Sequence, residues 1–152
     1  MSSRLSRDEA WQVLNESHTG IFTTLRRDGR PVSLPVWFVA LDDHIYVASP
    51  AGRSKVQRVR HDSRVAFVVE SGERWEELVG VHIAGEARVI DDPDRVLAVQ
   101  AAIDDKYDSY RSRPSASPSS GGSGYGPEIA VIEITPDDRI LSWDNSRPRV
   151  RR

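Results

Sequence analysis

Apolar and polar positions along the chain change period near His18, from a helical spacing to a strand-like one. Before that point, Ser6 and Glu9 form a capping-box pair, and Ala10, Val13, Leu14 and Ser17 share one helical face, which predicts a short N-terminal helix. After it, TGIFTTLR, RPVSLPVWFVAL and HIYVAS read as strands divided by Asp28-Gly29 and Asp42-Asp43 turns, the pattern of a meander. RVAFVVE and VGVHIAGEARVI are further strand material. Asp92 then caps a helix with Pro93 in its first turn, and Val96, Val99, Gln100, Ile103 and Tyr107 continue at helical spacing. EIAVIEIT and RILSWD predict two last strands around a turn at Pro136 and Asp137. The pattern as a whole is mainly β, about six or seven mostly antiparallel strands with peripheral helices, and such sheets commonly close into a barrel to remove their edges.

Length adds that residues 1–152 suit one domain. Composition marks SYRSRPSASPSSGGSGYGP, residues 109–127, as a flexible Ser/Gly/Pro-rich loop or lid. The absence of cysteine excludes a disulfide frame, a thiolate metal site and a Cys nucleophile, and suits a reducing cytoplasm. The N-terminus has no signal-like apolar core, and no apolar run nears the roughly 18 residues of a membrane span, so a cytoplasmic protein without a membrane partner is expected. A net charge of -2 argues against general nucleic-acid binding. The basic tail with Arg147, Arg149, Arg151 and Arg152 reads as a solvated end. His18, His44, His61 and His82 show no metal-ligand spacing, so no metal is expected, and no GxSxG elbow marks a hydrolase.

Charge matters most in YVASPAGRSKVQRVRHDSR, where Arg53, Lys55, Arg58, Arg60 and Arg64 crowd a mildly acidic chain. Lys55 is one of two lysines, with Lys106, against nineteen arginines. A strand ends here in Ser49, a Pro-Ala-Gly loop leaves backbone amides free, and a helix start follows with Arg53, Ser54 and Lys55: hydroxyl, amides, helix N-terminus and cations suited to a phosphate. The stretch equally fits a basic helix face in solvent, and residue types alone leave both open. Pro35 cannot donate to a ladder, which puts its strand at an edge or bulge and frees neighbouring amides for a flat polar ligand. Val36, Trp37 and Phe38 beside it fit a ring pocket or simple core packing.

RPVSLPVWFV, then IYVAS, then PAGRSKVQRVRHDSRVAFVVE, resembles the split β-barrel flavin and deazaflavin oxidoreductases, relatives of pyridoxamine 5'-phosphate oxidase. The resemblance runs from Thr19 to Ile90 and resumes at RILSWD. It implies an FMN-binding-like split β-barrel homodimer with a cofactor at the interface of the two protomers. Pro35, Val36 and Trp37 would face the tricyclic ring, Ser49, Arg53, Ser54 and Lys55 would hold the phosphate, and Trp143, or alternatively Trp75, would approach from the partner. Arg58 and Arg60 would meet the carboxylate-rich tail of a deazaflavin, which favours coenzyme F420 over FMN and predicts hydride transfer with an unsaturated small molecule; a non-catalytic binding protein is the other alternative. The chain lacks the later residues expected of a pyridoxamine phosphate oxidase proper. The catalytic residue stays unknown, with Tyr107, Tyr110 and Tyr125 as proton-donor candidates.

Overall fold

Ser6 starts α1 (Arg7–Glu16) through the predicted capping box: its Oγ accepts from the Glu9 amide at 3.2 Å, and Glu9 Oε2 accepts from the Ser6 amide at 2.7 Å. The computed structural model describes residues 3–111 and 128–147. Seven strands follow α1: β1 (Gly20–Leu25), β2 (Pro31–Val36), β3 (Val39–Leu41), β4 (His44–Pro50), β5 (Arg64–Ser71), β6 (Val79–Ile90) and β7 (Ile129–Asp144). Between them lie α2 (Ser54–His61) and α3 (Pro93–Tyr107), and the latter carries the predicted Asp92 cap and first-turn proline. The strands form one curled antiparallel sheet in the order β2-β1-β5-β6-β7-β4-β3, a mainly β half-barrel with few helices.

That order corrects the meander. RPVSLPVWFVAL is two strands, and the chain passes from one edge of the sheet to the other between Val36 and Val39. The cause lies in the core, since Phe38 is fully buried and meets Phe67 edge-on at 4.8 Å, which draws the two edges together there. The inference from Pro35 holds: β2 is an edge strand, with Pro35 opposite Ile21. A second correction concerns Pro136 and Asp137, which make no turn; β7 runs unbroken from Ile129 to Asp144. The register slips between Ile83 and Gly85 and places Gly85 opposite Pro136. A Cβ on Gly85 would stand 2.2 Å from the Thr135 carbonyl oxygen, so only glycine admits this bulge.

The inner core joins Phe22, Phe38, Ile45, Phe67, Ile83 and Ile132, with Val56 and Val59 of α2 and Ala10 and Leu14 of α1. A second core forms where α3 sets Val99, Ile103 and Tyr107 on Val39, Tyr46 and Val131. Arg95 anchors α3 by donating to the Tyr46 hydroxyl at 2.7 Å, and that hydroxyl donates to buried Glu133 at 2.8 Å. The row Ile21–Val68–His82–Leu141 crosses β1, β5, β6 and β7 on the opposite face from the inner core, and Ile21 and Leu141 stay 37% and 46% exposed.

The chain ends are stapled. The Asp144 amide donates to the Ser3 carbonyl at 2.7 Å, and Arg147 pairs with Glu9 at 2.8 Å and Asp144 at 3.3 Å rather than standing free in solvent. Arg149, Arg151 and Arg152 lie outside the described residues. Of the predicted 109–127 loop, Ser109 and Tyr110 belong to a 3-10 turn, and residues 112–127 lie outside the described residues.

Candidate functional site

Trp37 follows β2 directly, at the start of the passage between sheet edges, and lies parallel on Tyr107 of α3 with centroids 4.4 Å apart and planes 2° apart. His18 meets both rings edge-on, at 6.0 and 5.3 Å. The passage is clamped by hydrogen bonds. The Tyr107 hydroxyl accepts from the Phe38 amide at 2.9 Å and lies 2.7 Å from the His18 carbonyl oxygen as donor. Lys106 Nζ donates to the Phe38 carbonyl at 2.9 Å and stands 3.9 Å over the Phe38 ring. Burial pushes the Lys106 ammonium down to about 8 and the Tyr107 phenol up. Tyr107, a proton-donor candidate by sequence, is fully buried with its hydroxyl committed to backbone groups, so its role is to fix Trp37 and Phe38. Tyr110 is exposed, 4.3 Å from the His18 ring, and Tyr125 lies outside the described residues.

Beside this clamp lies a cleft in two parts. The first, about 590 Å³, has walls of Thr19, Pro35, Val36, Trp37, Val47 and Ile103. Arg111 also lines it, tied to Asp104 at 2.7 Å with its guanidinium 6.0 Å from the Trp37 centroid. The second part, about 540 Å³, is lined by Ser49, Arg53, Ser54, Lys55 and Arg58, with Leu34 at its side. The two share Ala48 and Lys55 and so lie side by side. One end offers an aromatic wall and the other a set of cations.

Local chemistry explains the cationic end. β4 stops at Ser49-Pro50, and α2 begins at Ser54 with Arg53 in the cap position and no side chain capping the first amides. Burial, and then the neighbouring Arg53 and Arg58 charges, pull Lys55 below the usual lysine range. Arg58 is likewise lowered by burial, then by Arg26, while its Nε donates to Thr24 Oγ1 at 2.6 Å. Among the described residues no carboxylate pairs with Lys55, Arg53 or Arg58. Half-buried Lys55 and Arg58, with exposed Arg53 beside them and no acid paired to any, form a ready place for an anion.

The structure thus brings together Pro35, Val36 and Trp37 with Ser49, Arg53, Ser54, Lys55 and Arg58. Arg60 is separated from them. Two positions along a helix are about 200° round it, and Arg60 faces a different hollow beside Asp91, Pro93 and Glu128. Trp143 lines neither part of the cleft; its ring lies over Gly80, where a Cβ would approach to 2.1 Å. Trp75 is 67% exposed. Thr19, Ala48, Ile103 and Arg111 were not foreseen as lining, and Arg111 carried no signal in the sequence. The Lys106 clamp did carry one: the scarcity of lysine that singled out Lys55 applies equally to Lys106.

Among the described residues no group of three or more His, Cys, Asp or Glu is placed to hold a metal, and no helix is long and apolar enough to cross a membrane.

A family model described as pyridoxamine 5'-phosphate oxidase matches residues 6–140. No curated protein matches the chain. Among solved structures, a conserved hypothetical protein from Mycobacterium tuberculosis is similar at 23% identity and a TM-score of 0.76, over 97% of this chain and 91% of that one. A FAD-binding protein from Mesorhizobium loti is similar at 18% identity and a TM-score of 0.67, over 91% and 94% of the two chains. A FAD-binding protein from Mycobacterium smegmatis is similar at 17% identity and a TM-score of 0.65, over 92% and 95%. At these identities the likeness is one of fold.

Proposed function

Because the chain belongs to the pyridoxamine 5'-phosphate oxidase family, we propose that its two-part cleft holds a flavin-type cofactor and that the protein is an oxidoreductase dependent on the deazaflavin coenzyme F420. The observation that carries this reading is the adjacency of an aromatic-walled hollow and a cationic one that share Lys55. A cofactor with a ring at one end and a phosphate further on suits that sequence of surfaces, and the donor set fits: amides of an uncapped helix start, the Ser49 and Ser54 hydroxyls, and cations without an acid.

Pro35, Val36 and Trp37 hold the ring, while Ser49, Arg53, Ser54 and Lys55 hold the phosphate. When bound, such a cofactor supplies hydride transfer to or from an unsaturated small molecule. The protein's part is to position and to keep water out. Tyr107 and Lys106 fix the backbone of Phe38, so the wall formed by Trp37 is set before ligand arrives. Arg58, on the cleft side of α2, supports F420 through the anionic tail that follows its phosphate. FMN is the second reading; the FAD-binding descriptions of two structural neighbours favour a flavin over a deazaflavin without singling out FMN.

Titration with F420 and with FMN, followed by steady-state oxidation of reduced F420 in the presence of quinones, tetrapyrroles and nitro compounds, tests the reading. Tight FMN binding without F420 binding reverses the cofactor assignment, and binding without turnover leaves a carrier or sensor. Arg58→Gln is expected to weaken F420 binding about tenfold, in the range of a charge-assisted contact, and Arg60→Gln to change it less than about twofold. Equal losses in the two variants would contradict the separation of Arg58 from Arg60.

The proposed assembly is a homodimer. The row Ile21–Val68–His82–Leu141, apolar except for His82 and with Pro35 at its edge, forms a partly exposed face of the kind that packs against a partner. Leu141→Asp is expected to weaken self-association at least about tenfold by placing a charge in that face. Sedimentation at micromolar protein would show monomer where wild type shows dimer; an unchanged dimer would place the interface elsewhere.

A further inference from the structure

His82 interrupts the otherwise apolar row across β1, β5, β6 and β7 near the middle of the sheet, opposite Val68 on one side and Leu141 on the other. Its side chain is half-buried, and among the described residues its ring has no hydrogen-bond, ion-pair or aromatic partner. It lines neither part of the cleft. An imidazole keeps such a face uncharged only while it is neutral, and histidine is the side chain whose charge ordinarily changes between about pH 5 and 8.

The charged groups on this face flank the row. On β5, alternation along the strand puts Glu70 and Arg64 on the same side as Val68, and Arg64 is held by Asp62 at 2.8 Å. β6 adds Glu86, opposite Arg64, and β7 adds Arg139, two residues before Leu141, with Asp137 further back. β1 and β2 carry no charged residue. Glu70 and Arg139 are the nearest to His82, one on each diagonal at about 7–8 Å by strand geometry, and their fields there oppose each other. They also lie on opposite sides of the row. A second copy turned over about the row therefore brings its Glu70 to the side of this Arg139 and its Arg139 to the side of this Glu70, an arrangement that suits self-pairing.

We propose that His82 makes self-association through this face sensitive to pH, with neutral imidazoles covered when two copies pack and protonated ones driving them apart. Two-fold symmetry doubles the effect, since each copy brings its own His82 into the same interface. A charge covered there without a paired acid is costly. The dimer consequently binds fewer protons than two free copies, and association weakens as pH falls.

This proposal rests on the dimer reading above, and one set of measurements separates the two. Sedimentation equilibrium at about pH 7.5, 6.5 and 5.5 gives the dimer dissociation constant for wild type, His82→Leu, His82→Gln and Leu141→Asp, with circular dichroism recording that each stays folded. The wild-type constant should rise at least about tenfold from the highest to the lowest pH, and in both His82 variants it should change less than about twofold. His82→Gln is polar and neutral throughout, so it keeps the test open should His82→Leu associate too tightly to measure. A wild-type constant independent of pH overturns the proposal and leaves the dimer reading intact. So does a wild-type slope retained in both His82 variants, which would assign it to other groups. Wild type monomeric at the highest pH, or a Leu141→Asp dimer as tight as wild type, overturns both.

Discussion

Lys55→Met is expected to weaken binding of a phosphate-bearing cofactor by about 2 kcal/mol, roughly 30-fold, the scale of a partly buried charge-assisted contact. Lys55, with Ala48, lines both the aromatic and the cationic part of the cleft, and its charge serves the phosphate end. Riboflavin, which has no phosphate, separates the two contributions. Its affinity should be nearly the same in wild type and variant, while FMN and F420 lose affinity. An unchanged affinity for the phosphorylated cofactors would remove Lys55 from the site. The pH dependence carries its own sign: Lys55 is held below the ordinary lysine value by burial and by Arg53 and Arg58, and an anion favours its charged form. Affinity should therefore be full at lower pH and fall as pH rises through the depressed Lys55 value, before an ordinary lysine would titrate. In Lys55→Met that fall should be absent.

Tyr107→Ala is expected to destabilise the protein by about 4 kcal/mol, the cost of emptying a fully buried aromatic site. Three observations set that magnitude: the ring is 0% exposed, it stacks on Trp37 at 4.4 Å, and its hydroxyl satisfies the Phe38 amide. Tyr107→Phe keeps the ring and should cost about 1–3 kcal/mol, because the Phe38 amide is left without its acceptor. The denaturant midpoint measures both. A loss under about 1 kcal/mol for Tyr107→Ala would mean that the passage from β2 to β3 does not depend on α3. Tyr107→Phe has a further readout, since loosening Phe38 frees Trp37, and cofactor affinity should fall along with stability.

Local chemistry was legible wherever it was decided within a few residues. The Ser6–Glu9 box and the Asp92-Pro93 start are closed within one helical turn, and both helices begin there. Pro35 announced an edge because a missing donor is a property of the residue itself. The grouping of Ser49, Arg53, Ser54 and Lys55 was legible because Ser49 to Lys55 is one strand-loop-helix step. Contacts made across long stretches of chain were not. Val36 to Val39 reads as the middle of one apolar run, and what divides it is Phe38 meeting Phe67, 29 residues later. Pro136 reads as a turn, and what lets β7 run on through it is the bulge at Gly85 in the neighbouring strand, where no side chain stands in the way. Arg58 and Arg60 are an intermediate case: their helical angle was available from spacing, but which side faced the cleft required β1 and β4 in place.

The strand order also dictates when a growing chain can first capture a ligand. β4, which supplies Val47, Ala48 and Ser49, has only the three-residue β3 beside it until β7 arrives on its other side, and β7 is the last of the described strands to be synthesised. Its register spans the chain, with Val47 opposite Ile132. Closing so long a loop is slow and precedes any reward from pairing. The first half of the polypeptide carries Pro35, Trp37 and Lys55 yet cannot assemble them into a cleft. On the proposed cleft reading, ligand added during refolding should bind only in the final phase, stabilising the completed sheet rather than hastening its formation.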